Sequence, residues 1–309
     1  MPNRARICRW KDNKKAAYSL CADDSSRFHL DFMIPEMKKR GFAGTFWVNP
    51  KEGNTWTTRN DEWLEAAAYG CDFANHTINH EGARSYAEAE YEIGESARII
   101  RAANPSQTLL LFLNGGATEW TINDCEMNEL LYKYQCVGGR GGGSRYGEYH
   151  IIDGKYVSAT VEEMASYPDL ALAAGDWRMN AFHHVGPGAT NLPTDAEPFI
   201  ALLDALDKRR GSLWIDTNTN IHKYVTERDA ARLEIVETAA ERIILSLTAG
   251  LNTWMYNHPL TLTAEFADGW NECTVEQCGV FMKYPVDDDR IFFQARPDYG
   301  AIIIHKNHV

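Results

Sequence analysis

From the N-terminus to about residue 235, short apolar runs alternate with segments of helical spacing, and this alternation restricts the fold more than any other feature. Ala16 to Ala22 reads as an apolar strand ending at Asp23. Leu30, Met33, Ile34 and Met37 then recur at helical spacing and stop at Gly41. Gly44 to Asn49 reads as a second strand, Asp61 to Tyr69 as a helix closed by Gly70, and Cys71 to Ala74 as a third strand. A long helix is expected over 86–103, a buried strand over 108–113 and a helix over 124–134, followed by a glycine-rich loop around 138–143. Arg178 to His183 and Ser212 to Asp216 read as later strands, separated by a helix over 199–208. Strands this apolar, linked by helices, imply a parallel sheet closed or nearly closed into a (β/α) barrel. The chemistry of such barrels gathers at the carboxyl ends of the strands.

After about Leu233 the pattern changes to short strands without intervening helices, at 243–247, 260–263, 273–275, 291–293 and 301–304. The expected organisation is an α/β barrel domain over 1–235 and a small β-sandwich-like domain over 236–309. Trp254, Tyr256, Trp270 and Tyr284 in the second region offer a sugar platform, but aromatic burial is the more economical use of such residues in a small β domain.

Charge narrows the partners. The formal net charge of −12 over 309 residues argues against nucleic acid, which needs a basic face, and disfavours an anionic polymer as substrate. No apolar run approaches the length of a membrane span, so a soluble protein without a membrane partner is expected. The start, Met1-Pro2-Asn3-Arg4, lacks the apolar core of a signal peptide, which leaves the compartment open between cytoplasmic and secreted with the signal removed. Oligomeric state is open as well. The seven cysteines show neither C-x-x-C nor zinc-finger spacing and read mostly as buried free thiols, with Cys273 and Cys278 close enough in sequence to pair across a hairpin.

Chemistry concentrates in two places. His76-Thr77-Ile78-Asn79-His80 sets two imidazoles four residues apart, able to face one way on a turn or a first helical turn. Asp23-Asp24, at the end of an earlier strand, supplies carboxylates. Two imidazoles and one carboxylate make a three-ligand face with positions left open, which separates a catalytic metal site from a structural one. Each element is weak alone, since an H-x3-H pair is common on solvated helices and Asp-Asp often caps a helix or turn. Their placement after successive apolar strands is what joins them, and His183 also falls at a strand end.

With those residues in view, the chain resembles the polysaccharide deacetylases, the NodB-homology or carbohydrate esterase family 4 superfamily. Cys21-Ala22-Asp23-Asp24 is similar to the family's T-F-D-D motif, and His76-Thr77-Ile78-Asn79-His80 matches H-[ST]-x-x-H in full. Gly41 to Trp47 resembles the family's second strand, and Asn180-Ala181-Phe182-His183 its late L-x-L-H segment. The resemblance spans roughly residues 14–230 and implies a distorted (β/α) barrel that removes acetyl groups, N- or O-linked, from a carbohydrate. It implies that Asp24, His76 and His80 bind a divalent metal, Asp23 is the general base and His183 the general acid. Zinc suits this donor set best, with cobalt, nickel and manganese as alternatives. His184 competes with His183, but adjacent strand residues face opposite ways, so only one can enter the barrel mouth.

The family's R-x-P-Y motif has no match; the corresponding strand end reads Leu113-Asn114-Gly115-Gly116-Ala117-Thr118. Backbone N–H groups of Gly115 and Gly116 are candidates for an oxyanion hole. Asp176-Trp177 is a loose counterpart of the family's D-W motif, which makes Asp176 a candidate orienter of His183. Trp56, Trp120 and Trp177 are candidates for stacking on sugar, with Trp120 beside the glycine pair, although a single Trp is more often core. His150, His222 and His258 read as surface or packing residues. Two other functions remain open from sequence: a non-hydrolytic carbohydrate-binding relative, and an amidohydrolase acting on a small non-sugar amide.

Overall fold

The computed structural model describes residues 4–115, 118–139, 149–151, 159–266 and 269–307. The chain folds as two compact units, residues 16–222 and a second unit built from residues 1–15 and 223–309. Sequence placed the change at about residue 235, with the N-terminus in the barrel. The difference has a concrete cause. The first strand, β1 (Arg4–Ile7), pairs antiparallel with a strand some 260 residues later in register Arg4↔Glu265 to Ile7↔Leu262.

The unit of residues 16–222 is the expected α/β architecture. Its strands are β2 (Ala16–Asp23), β3 (Thr45–Val48), β4 (Asp72–Asn75), β5 (Gly82–Ala83), β6 (Leu110–Phe112), β7 (Glu119–Trp120), β8 (Cys136–Gly138), β9 (Tyr149–Ile151), β10 (Trp177–Phe182) and β11 (Leu213–Ile215). Its helices are α1 (Ile34–Lys38), α2 (Thr55–Thr58), α3 (Asn60–Tyr69), α4 (Tyr86–Ala103), α5 (Asp124–Lys133), α6 (Val161–Ala174) and α7 (Ala196–Arg209); α8 (Asn218–Ala230) crosses the division between the units. Eight parallel strands form one curled sheet in the order β8-β6-β4-β3-β2-β10-β9, with β11 pairing the first half of β2. The helical segment expected from the spacing of Leu30, Met33, Ile34 and Met37 is split into a π-turn (His29–Met33) and α1. Pro35 has no N–H to give the carbonyl four residues back, so the α ladder cannot run through it.

Strand β2 is buried along its whole length, as expected of a parallel strand covered on both faces. Tyr18, Leu20 and Ala22 join Phe46, Phe73, Leu110 and the helix residues Trp63, Ile93, Leu130 and Phe199 in the main core. Ser19, Cys21 and Asp23 alternate to the opposite face. Registers Asp23↔Trp47, Val48↔Asn75, Asn75↔Phe112 and Phe182↔Ala22 bring the carboxyl ends of five strands level. The residue that follows each of them therefore opens onto one rim.

The second unit contains two antiparallel sheets, as the switch in pattern implies. One is β1-β14-β17 and the other β12-β13-β18-β15-β16, where β12 is Arg232–Ala239, β13 Arg242–Thr248, β14 Leu260–Glu265, β15 Glu272–Gln277, β16 Val280–Pro285, β17 Arg290–Ala295 and β18 Ile302–Lys306. On β13 alternation marks the buried side chains Ile243, Leu245 and Leu247, whereas β14 is buried on both faces from Leu260 to Ala264. Trp270 is buried and stacks on Phe266 at 4.6 Å, a packing role, whereas Trp254 is exposed. All seven cysteines are free. Cys273 and Cys278 do not pair, because Cys273 opposes Tyr284 within the hairpin while Cys278 sits at its turn. No helix among the described residues is long and apolar enough to cross a membrane.

Candidate metal centre

The residues just beyond β2, β4 and β10 converge. Asp24 Oδ1 lies 3.5 Å from His76 Nε2 and 3.5 Å from His80 Nε2. One ligand atom from each of the three residues falls within 4.8 Å of the others. A separation of 3.5 Å is long for a charge-assisted hydrogen bond. It is close to the ~3.4 Å edge of a tetrahedron whose metal–ligand bonds are ~2.1 Å. Asp24 Oδ1 is buried without a hydrogen-bond partner, and such an orphaned carboxylate oxygen needs a cation to justify its desolvation. On these grounds the donor set fits a divalent ion.

Local chemistry makes the histidine motif a turn rather than a helix. Asn75 Oδ1 accepts the Thr77 N–H at 2.9 Å, and Thr77 Oγ1 accepts the His80 N–H at 3.1 Å, so side chains take donors that a helix would use. Thr77 and His80 adopt left-handed backbone angles (φ 68° and 61°), as do Asp24 and Ser25 (φ 76° and 48°). Non-glycine residues in that region carry strain of ~1 kcal/mol or more each and persist only where the surroundings over-determine them. Glu92, buried on α4, helps by accepting from both the backbone N–H and the Nδ2 of Asn79 at 2.9 and 2.7 Å.

The His76 imidazole is held in one tautomer and orientation. His76 Nδ1 lies 2.7 Å from the Leu113 carbonyl, which can only accept, so Nδ1 carries the proton and Nε2 presents its lone pair toward Asp24. The His80 ring packs against Gly115, where a Cβ would come within 2.5 Å of Nε2. Burial works to raise the Asp24 carboxyl, yet His76, then His183 and His80, outweigh it and hold it down at about 2.

His183 follows β10 and reaches the same rim. Its Nε2 is 4.0 Å from Asp23 Oδ2 and 3.8 Å from Asp24 Oδ2. His184 turns away, as strand alternation requires: its ring lies 4.6 Å from Phe28, and its Nδ1 accepts the Asn191 N–H at 3.1 Å. The His183 carbonyl is in turn held by His29 Nε2 at 2.7 Å. His29 is fully buried, and that burial lowers its imidazole to about 4, so it stays neutral as a donor.

Other expected site residues fall differently. Asp176 cannot orient His183, because it precedes β10 whereas His183 follows it, ~20 Å along the strand, and its Oδ1 accepts from Arg178 Nε at 2.8 Å. Gly115 sits beside His80, while Gly116 lies outside the described residues. Trp120 is half-buried against the core, its Nε1 donating to Thr118 Oγ1 at 3.0 Å, and Thr118 Oγ1 donates to the Gly115 carbonyl at 2.6 Å. Trp56 and Trp177 are buried and unable to stack on a sugar. His222 and His258 are buried as expected of packing residues, and nothing is described of the His150 side chain. Sequence reasoning missed His29, Glu92 and Asn49. Asn49 had a usable signal, since it follows β3 as Asp24 follows β2 and His76 follows β4.

Residues 11–129 match the family model described as polysaccharide deacetylase. The chain is 23% identical to a gellan lyase of a Bacillus species over 335 aligned positions, which cover 97% of this chain and 13% of that protein. The chain thus spans about an eighth of the length of that curated relative. Among solved structures, the peptidoglycan deacetylase of Bacillus subtilis is similar with a TM-score of 0.45 and 14% identity, over 71% of this chain and 95% of that one. A family 4 carbohydrate esterase pseudoenzyme of Bacillus anthracis is similar with a TM-score of 0.45 and 15% identity, over 66% and 64%.

Proposed function

We propose that this chain, whose residues 11–129 match the polysaccharide deacetylase family model, is a metal-dependent deacetylase that hydrolyses N- or O-linked acetyl groups on a carbohydrate. The observation that carries the reading is the convergence of Asp24, His76 and His80 within 4.8 Å, with Asp23 and His183 on the same rim. The ligands would be Asp24 Oδ1 and the Nε2 atoms of His76 and His80. When bound, the ion supplies a Lewis acid that polarises the acetyl carbonyl and acidifies water.

The remaining work falls to side chains. Asp23 accepts a proton as water adds to the acetyl carbon. His183 Nε2, on the same rim, gives a proton to the departing amine or alkoxide as its bond to the acetyl carbon breaks, leaving acetate. The Gly115 backbone stands beside His80, where a donor to the developing oxyanion is useful. Zinc is the ion the donor set suits best, with cobalt, nickel or manganese able to substitute.

A cavity of about 790 Å³ adjoins the histidine turn and is lined by Asn79, Glu81, Arg84, Tyr91 and Glu119 among others. The net charge of −12 favours a neutral or amino sugar over a uronate polymer. Acetate release from a panel of acetylated oligosaccharides, measured after chelation and after metal return, tests the proposal. Metal-dependent acetate release is expected. A protein that binds the ion and releases no acetate from any member is instead the non-hydrolytic relative to which the absent R-x-P-Y motif points.

A further inference from the structure

We infer that Asn49 is the positioning residue of the metal centre, an inference that builds on the metal-dependent reading above. All three ligands sit on two loops, and both loops hang from the end of β3. The Trp47 carbonyl accepts the Asp24 N–H at 3.1 Å, and the Val48 carbonyl accepts the His76 N–H at 3.2 Å. These are ordinary parallel-sheet bonds, and the ladder stops there. Asn49 takes over with its side chain and backbone together. Its N–H donates to Ser25 Oγ at 2.9 Å, in the loop after β2. Its Nδ2 donates to the carbonyls of His76 and Thr77, the latter at 3.3 Å, in the loop after β4. Its own carbonyl accepts from Asn54 Nδ2 at 3.0 Å.

The chemistry of the residue suits the task. Asn49 is 2% exposed, and both hydrogens of its amide are spent on two carbonyls of one loop. Asp24, Ser25 and Thr77 all hold left-handed angles, which relax unless something outside the loops fixes them. Asn49 is bonded to both loops by groups other than the sheet ladder. It contributes no atom to the Asp24–His76–His80 cluster, and acts by setting the spacing between Asp24 on one side and His76 on the other.

Gln107 provides the control. Its amide is buried as well, accepts the Phe73 N–H at 2.9 Å and donates to the Leu109 carbonyl at 3.2 Å, so it stitches the same strand β4 at a place remote from the ligands. The experiment measures Zn²⁺ affinity and the Co²⁺ absorption spectrum of the whole chain, with the thermal midpoint of the metal-free protein alongside. Asn49→Ala is expected to bind Zn²⁺ ~10–100-fold more weakly and to shift the Co²⁺ bands. Ser25→Ala, which removes one acceptor, gives a smaller change in the same direction and serves if Asn49→Ala fails to fold. Gln107→Ala lowers the thermal midpoint while leaving affinity and bands unchanged. Wild-type affinity and spectrum in both Asn49→Ala and Ser25→Ala overturn the inference alone, as does equal weakening by Gln107→Ala. A wild-type chain that binds no divalent ion overturns the metal reading and this inference with it.

Discussion

The two compact units bury polar groups in opposite ways. In residues 16–222, parallel strands point the same direction, so the positions after β2, β3, β4 and β10 share one rim and their polar side chains meet. Asp24, His76, His80 and His183 lie within mutual reach there, in backbone that carries strain. In residues 1–15 and 223–309, antiparallel strands send successive loops to opposite ends, and a buried carboxyl there is met by nearby groups rather than at a shared rim of strand ends. Glu227 is the example: burial pushes its carboxyl up to about 8, opposed by the His258 N–H, Lys223 and Arg296. A parallel sheet concentrates chemistry by geometry, and an antiparallel one must place it deliberately.

Substitutions sharpen that contrast. The largest effect is expected for His76→Ala, which removes a proposed ligand whose ring is locked by the Leu113 carbonyl. Stoichiometric zinc binding should be lost and acetate release should fall to background; full zinc occupancy in the variant would dissolve the site. Asp23→Asn comes next. It should retain the metal, by elemental analysis, while acetate release drops ~10²–10⁴-fold; near-normal turnover would remove Asp23 from the reaction.

Gly115→Ala tests the backing of His80, since the new Cβ meets the ring at 2.5 Å and the imidazole must move. Zinc affinity should fall ~10-fold or more with little change in the thermal midpoint, and an unchanged affinity would show that the ring has room. The smallest effect belongs to the antiparallel unit. Glu227 is raised in the folded state to about 8 from 4.5, so the folded chain holds this proton more tightly. Its contribution is therefore fully present below pH 4.5 and is lost as pH rises through about 8. Glu227→Gln should gain ~1–3 kcal/mol above pH 8 in denaturant titrations and leave zinc affinity untouched. A stability–pH slope identical in variant and wild type would place the titration elsewhere.

How much was legible depends on the range of the interaction. The H-T-I-N-H segment and Asp23-Asp24 were readable because each places two candidate site residues within five positions, and β2 announced its end by its apolar run. Asp176 misled because a D-W pair near a histidine says nothing about which end of a strand each occupies. Helices α6 and α8 escaped notice: α6 has Pro168 inside it, and α8 is polar over most of its length. The N-terminal strand was invisible, since four residues, Arg4–Ile7, acquire a partner only in β14.

By itself, then, the sequence determined the parallel α/β architecture, the change to antiparallel strands, and the three residues Asp24, His76 and His80. Those follow from periodicity and from side-chain chemistry within a few residues, both of which are local. Tertiary structure decided between His183 and His184, placed Asp176 at the far end of β10, gave β1 to the second unit and brought Asn49 onto two loops. Each of these depends on strand register or on a hydrogen bond across tens to hundreds of residues, and register is set by the packing of the whole sheet rather than by any one strand.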